Sequence, residues 1–112
     1  MALKDIVVHV DLNAESDSRL KAALALAEAQ GAHLIGVYAI PRPYIPTYAE
    51  AQISVEVIEA QHTAAKEAAE RAEAQFKEAT ANAGVSVEWR AQDGDAGRGL
   101  GFHCRYADLT VV

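Results

Sequence analysis

Cysteine, proline and basic residues are scarce in this 112-residue sequence, and each shortage excludes a class of protein. The single cysteine, Cys104, rules out an intramolecular disulfide and any metal clamp built on a pair of cysteines. Ten Lys and Arg against 16 Asp and Glu leave a net charge of −6, which argues against a nucleic-acid partner. With only three prolines and little low-complexity sequence, the chain does not have the composition of a disordered protein.

Long apolar runs are absent as well. Charged residues such as Lys21 and Glu28 interrupt every stretch before it reaches the ~18 residues of a membrane span. The opening MALKD lacks the basic and then apolar layout of a secretory signal. We therefore expect a cytoplasmic protein with no membrane partner, folded as one domain over residues 1–112 around a core supplied by its 51% hydrophobic residues.

Four short apolar segments predict β-strands. They cover residues 5–10, 34–40, 85–89 and 107–112. The first is typical of a strand covered on both faces, because β-branched apolar residues fill it almost throughout. Pro41 closes the second, and the three prolines at 41, 43 and 46 predict an extended loop behind it.

Helical periodicity fills the gaps between these segments. Apolar residues follow the first strand at helical spacing, with Ser16 able to cap the helix and Gly31 placed for a left-handed end. A tract over 49–83, ended by Gly84, predicts a long second helix, and 98–106 a short third one. The predicted inner face of the long helix comprises Ile53, Val57, Ile58, Ala64, Ala65, Ala68, Ala72 and Phe76.

Strands and helices thus alternate as β-α-β-α-β-α-β, the order of a mostly parallel sheet with helices on both faces. We expect an α/β fold with three α/β/α layers. In such folds ligands bind in a crevice at the carboxyl ends of the strands. Here the residues that follow Val10, Ala39 and Val112 would line that crevice.

Several of these segments resemble one known family. Residues 4–11, the helix end at 29–34, Gly94-Asp95 and residues 106–112 look like the corresponding pieces of a universal stress protein domain. The resemblance spans the whole chain and implies an adenine nucleotide alpha hydrolase-like fold with strand order 3-2-1-4-5. It also implies a role in the stress response, small-molecule binding without defined catalysis, and a homodimer or tandem arrangement.

The resemblance also implies a ligand, ATP or another adenine nucleotide with magnesium, and residues for it. The acid that touches the ribose matches Asp11, directly after Val10, and the main chain that meets adenine maps to Ala39. Val112 matches the start of the phosphate site. The glycine motif G-x2-G-x9-G-[S/T] that cradles the phosphates is absent from these residues, as are the last helix and fifth strand. We therefore expect an incomplete domain in which ATP binding is weakened or lost.

Some candidate residues have a plainer interpretation. Asp11 is favoured as a ligand of the ribose, with capping of the first helix as the alternative. A hydrogen-bonded core histidine is favoured for His9 over a metal ligand or general base. For Gly97 to Gly101 a flexible connector is favoured over a phosphate loop, because Phe102 stands where a dinucleotide fingerprint needs its third glycine.

Four further candidate residues remain. Cys104 is favoured as a packing residue, and His62, on a helix rich in Glu, as a solvated one. Tyr44 and Tyr48 of the proline loop either cover an adenine ring or pack over the sheet edge.

We expect no metal site and no enzyme activity. The alternative function is a scaffold domain that binds no nucleotide and dimerises through the exposed edge of its last strand.

Overall fold

The computed structural model of the chain describes residues 3–40, 54–93, 105 and 107–112. Within them the chain forms β1 (Asp5–His9), α1 (Ala14–Gln30), β2 (His33–Ile40), α2 (Val55–Thr80), β3 (Val87–Asp93) and β4 (Leu109–Val111). The four predicted strands and the first two predicted helices are confirmed in this order. The predicted proline loop and all of the third helix except Arg105 lie outside the described residues.

The strands form one parallel sheet in the order β3-β2-β1-β4. This order confirms the first four positions of the expected 3-2-1-4-5 arrangement. β1 lies between β2 and β4, so the chain moves outward in one direction through β2 and β3 and then returns to the other side of β1. The direction therefore reverses next to β1, which is the point where sheets of this kind open a ligand crevice.

Both faces of the central strand are covered. Ile6 and Val8 are fully buried in the larger cluster, together with Ala23 of α1 and Phe76 of α2, so both helices pack on this face. Val7 points to the other face, where it is also fully buried in a second cluster. The near-continuous apolar run of β1 is thereby explained. The two described helices form one layer on the sheet, and this arrangement is consistent with the expected three-layer α/β/α architecture.

The start of α1 differs from the prediction, whereas its end agrees. The helix begins at Ala14 with Asn13 as its cap residue, so the capping role predicted for Ser16 is wrong. Ser16 lies inside the first turn, where its buried hydroxyl accepts a hydrogen bond from the Asp11 backbone instead. At the other end Gly31 has φ 63°, the left-handed conformation that glycine adopts without a steric penalty.

α2 is more exposed than its sequence pattern predicts. Its buried residues, Ala69, Ala72, Phe76 and Thr80, all lie in its second half, whereas Val57 and Ala64 of the predicted inner face are exposed. The reason is that the helix is longer than the strand on which it packs. A helix of 26 residues is about 39 Å long and β2, with eight, only about 26 Å, so the first half of the helix extends past the sheet. The helix also ends at Thr80, before the predicted stop at Gly84.

β3 and β4 have shifted bounds. β3 was predicted over 85–89, but it runs from Val87 to Asp93 because it pairs with β2 up to Ile40. Its polar second half does not look like a strand, yet in the described sheet it occupies an outer position, where polar residues are tolerated. β4 comprises only Leu109–Val111 of the predicted 107–112.

Asp108 joins the start of β4 to the start of β1. Its Oδ2 accepts hydrogen bonds from the backbone N–H groups of Lys4 at 2.7 Å and Asp5 at 3.1 Å. These bonds favour the ionised carboxylate and hold the pKa of Asp108 below its ordinary value of 3.8. The Asp108 N–H also donates to the Asp5 carbonyl at 2.9 Å. The two strands are therefore already aligned one residue ahead of their first paired residues, Ile6 and Leu109.

Candidate functional site

Three of the predicted site residues lie at one edge of the sheet, here called the carboxyl edge. His9 of β1 is paired with Val37 of β2, so Asp11 and Ala39, each two residues further along, lie at the same level. Val111 of β4 is paired with Val8, so Val112 follows directly on the other side of β1. The fold thus brings Asp11, Ala39 and Val112 together at the point where the strand order reverses.

Asp11 is held in place by its own loop. Its backbone N–H donates to Ser16 Oγ at 3.0 Å, and its Oδ1 accepts the Asn13 N–H at 2.9 Å. The side chain is 23% exposed. Because an ionised carboxylate has about four acceptor positions, the contacts of Asp11 leave room for hydroxyl donors from a ligand. The bond from Asn13 occupies one acceptor position of Oδ1, so such donors would use the remaining positions of the carboxylate.

Arg19 is a site residue that the sequence analysis missed. Its Nη1 lies 3.5 Å from Asp11 Oδ2 and donates a hydrogen bond to the His9 carbonyl at 2.9 Å. The Arg19 side chain is 18% exposed, and these two contacts let it bridge the end of β1 and the second turn of α1. No pattern in the sequence indicates this contact, because it depends on where α1 begins and on how the helix returns over the end of β1.

Val10 and Val112 contribute in different ways. Val10 is 3% exposed and its N–H donates to the Val37 carbonyl at 2.9 Å, so its main chain belongs to the sheet and positions Asp11. Val112 is 77% exposed and lies just beyond β4. Ala39 is partly buried within β2, paired with Gln92 of β3. The side chains of Val10, Ala39 and Val112 carry no polar group. Any polar contact from these three residues to a ligand would therefore come from the main chain.

His9 is only partly buried, and no described residue hydrogen-bonds its ring. The hydrogen-bonded core histidine predicted for this position is therefore wrong within the described part of the chain. Burial lowers the pKa of His9 below its ordinary value of 6.5, the Asp11 carboxylate opposes this and Arg19 adds to it. A lowered pKa favours the neutral form of the His9 ring. The charged partner of Arg19 at this place is the Asp11 carboxylate.

Residues 3–40, 54–93, 105 and 107–112 contain no group of three or more His, Cys, Asp or Glu side chains arranged to hold a metal ion. His62 is exposed on α2, as predicted. The candidate glycine segment 97–101, Cys104 and the loop tyrosines Tyr44 and Tyr48 lie outside the described residues, so their predicted roles stay predictions. Neither described helix is both long and apolar enough to cross a membrane.

Several solved structures share this fold with the chain. A universal stress protein UspA from Lactobacillus plantarum is 19% identical, with a TM-score of 0.74 over 99% of this chain and 77% of that one. A universal stress protein in complex with cAMP is 21% identical, with a TM-score of 0.72 over 100% and 77%. The protein Rv1636 from Mycobacterium tuberculosis H37Rv is 30% identical, with a TM-score of 0.55 over 100% and 71%.

Two further comparisons use the sequence itself. The search of curated proteins found no match. The family model of the universal stress protein family, however, matches residues 2–109, which is nearly the whole chain. The order of the parallel strands, the acid that ends the central one and this match agree, so the chain belongs to the universal stress protein family.

Proposed function

We propose that the chain binds an adenine nucleotide at the carboxyl edge and carries out no chemistry on it. Asp11 accepts the ribose hydroxyls, the main chain at Ala39 meets the adenine ring, and Val112 begins the phosphate side. Val10 holds Asp11 in register through its bond to Val37. The observation that carries the proposal is the position of Asp11 at the reversal point of a parallel sheet, where one hydrogen bond holds its backbone N–H and another holds its carboxylate.

The choice of an adenine nucleotide over other ligands is supported by one structural neighbour, a universal stress protein in complex with cAMP. The identity of 21% makes this a likeness of fold, so the ligand is carried over as a proposal. A cytoplasmic role in the stress response, with magnesium-bound ATP among the ligands, is part of the same proposal.

The phosphates contribute little affinity in the proposed complex. The glycine motif expected to cradle them is absent from these 112 residues, and the net charge of −6 opposes the approach of a triphosphate. Charge-assisted and main-chain bonds to phosphates are normally among the strongest contacts in such sites. We therefore expect ATP, AMP, cAMP and adenosine to bind weakly and within about tenfold of one another, which is about 1.4 kcal/mol.

Asp11→Ala tests the site. The change removes charge-assisted hydrogen bonds worth about 1.5–3 kcal/mol, so the affinity for adenosine and cAMP should fall by about 10- to 100-fold. Titrations followed by two-dimensional NMR detect weak binding and also report whether the shifted amides belong to residues at the carboxyl edge. Calorimetry with magnesium and ATP gives the comparison with the triphosphate.

Asp17→Ala is the matched control, because Asp17 is an exposed acid on α1 and its loss changes the net charge equally. Its affinities should equal those of the wild type. Unchanged binding by Asp11→Ala would show that the ribose site lies elsewhere. A low-micromolar Kd for ATP would contradict the weak phosphate contribution and leave the position of the nucleoside site to the NMR shifts.

A second candidate function is a homodimeric scaffold, favoured by the position of β4. Among the described strands β4 has a neighbour on one side only, β1, and its residues Leu109, Thr110 and Val111 are partly exposed. The main-chain groups on an outer strand offer a template for pairing with a strand of another chain. A second copy that adds its own β4 across a two-fold axis would continue the sheet with an antiparallel pair of strands and bury these side chains.

Light scattering over a range of protein concentrations tests this candidate, with a dimer as the expected result. Val112→Lys, at an exposed position next to β4, should shift the chain toward monomer because a lysine at a sheet edge opposes pairing. Val57→Lys, at an exposed position on α2, is the control and should not. A wild-type monomer at the highest concentration would exclude the dimer, and equal effects of both lysines would exclude β4 as its interface.

A further inference from the structure

A second polar cluster lies at the opposite edge of the sheet from Asp11. His33 opens β2, and its ring lies against two side chains of the neighbouring chain segment at β3. Its Nδ1 is 2.8 Å from Ser86 Oγ and its Nε2 is 3.4 Å from Glu88 Oε1. A serine hydroxyl, an imidazole and a carboxylate are thus connected in a row, the order found at activated serine nucleophiles.

The carboxylate determines the tautomer of the imidazole. Ionised Glu88 can only accept hydrogen bonds, so a bond to His33 Nε2 requires the proton on Nε2. The neutral ring then has an unprotonated Nδ1, which accepts the Ser86 hydroxyl proton. The proton lies on the correct nitrogen for His33 to act as a general base toward Ser86.

The surroundings keep Glu88 ionised and Ser86 within reach of solvent. A hydrogen bond from Arg90 lowers the pKa of Glu88, opposed by partial burial and assisted by His33. Ser86 is exposed and the His33 side chain is 29% exposed. A small electrophile can therefore reach Ser86 Oγ from solvent.

We propose that Ser86 is a nucleophilic modification site, acylated once by small activated acyl donors such as acyl phosphates or thioesters. Ser86 Oγ attacks the donor carbonyl carbon while its proton moves to His33 Nδ1. The bond from that carbon to the phosphate or thiolate then breaks, and the leaving group takes the proton from His33. The products are an ester on Ser86 and the free phosphate or thiol. This site does not depend on the proposed nucleotide site.

Labelling with a fluorophosphonate probe, followed by peptide mass spectrometry, tests the activation of Ser86, and acetyl phosphate tests the acylation itself. A positioned general base is worth on the order of 10²-fold in rate. We expect Ser86 to be labelled about 10²-fold faster than Ser18, an exposed serine of α1 that serves as the control within the same molecule. His33→Gln should remove this difference, and Glu88→Gln should reduce it severalfold.

Folding is checked separately. Circular dichroism shows whether each variant folds, and the urea-unfolded wild type provides a second measurement in which Ser86 has lost His33. In that state Ser86 and Ser18 should react at equal rates. Equal rates in the folded wild type, or a folded His33→Gln variant that keeps the fast reaction, would overturn the proposal. Fast reaction with the fluorophosphonate but none with acetyl phosphate would overturn the proposed donor class.

Discussion

Phe76→Ala is expected to lower the free energy of unfolding by about 3–5 kcal/mol, the usual cost of deleting a buried phenylalanine ring. Phe76 is 1% exposed and is the largest side chain that the described fold buries completely. Its ring contacts Trp89 of β3, with ring centroids 5.3 Å apart, and the other buried residues of α2 are small. It therefore supplies most of the attachment of α2 to the sheet. Urea unfolding followed by far-UV circular dichroism measures the effect.

Gln75→Ala is the matched control, because Gln75 is the exposed neighbour of Phe76 on the same helix. An exposed substitution of this kind should change stability by no more than about 0.5 kcal/mol. Domains of this size are stable by only about 5–15 kcal/mol, so the loss expected for Phe76→Ala is a large fraction of the total. A loss below about 1 kcal/mol would mean that the ring contributes little to the attachment of α2.

Gly36→Ala is expected to destabilise the fold by about 1–2 kcal/mol, although alanine generally suits a strand better than glycine. A Cβ at Gly36 would lie 2.7 Å from Phe76 Cε2 and 2.9 Å from Cδ2, closer than real Cβ contacts come. The ring cannot move away freely because Trp89 contacts it as well. The close approach of α2 to β2 therefore requires glycine at this position, and urea unfolding again gives the cost.

The control for Gly36→Ala is the same substitution at Gly84, where a Cβ would meet nothing within 4 Å and φ is not positive. That change should stabilise the protein by about 0.4–1 kcal/mol through the unfolded state. The expected stability changes at Gly36 and Gly84 have opposite signs, which makes the test specific for the clash with Phe76. Adding Phe76→Leu to Gly36→Ala should cost less than the sum of the two single changes, because the smaller side chain makes space for the new methyl group. Strict additivity would rule out the clash as the cause.

The predicted elements were most accurate where a segment is covered on all sides. β1 lies in the middle of the sheet, so its whole run is apolar and its pattern leaves little choice. β3 and α2 were less accurate because each is partly uncovered. The polar second half of β3 and the exposed first half of α2 follow no burial pattern, so their bounds depend on how far β2 extends beside them.

The candidate site likewise contains one residue that the sequence could predict and contacts that it could not. Asp11 could be predicted because an acid directly after a buried strand must lie at the carboxyl edge. Arg19 could not, since its contact with Asp11 depends on the angle at which α1 returns over the end of β1. The cluster of His33, Ser86 and Glu88 was also missed, because it joins residues 53 and 55 positions apart through the pairing of β2 with β3.

The order of strands and helices, the parallel sheet and the family are properties that the amino-acid pattern alone determined. They depend on local periodicity and on chain connectivity, and both are present in the sequence before any folding. The partners of Asp11, the clearance at Gly36 and the arrangement around Ser86 were decided only in the tertiary structure. Each depends on strand register and helix placement to within about an ångström, and those follow from the packing of the whole domain.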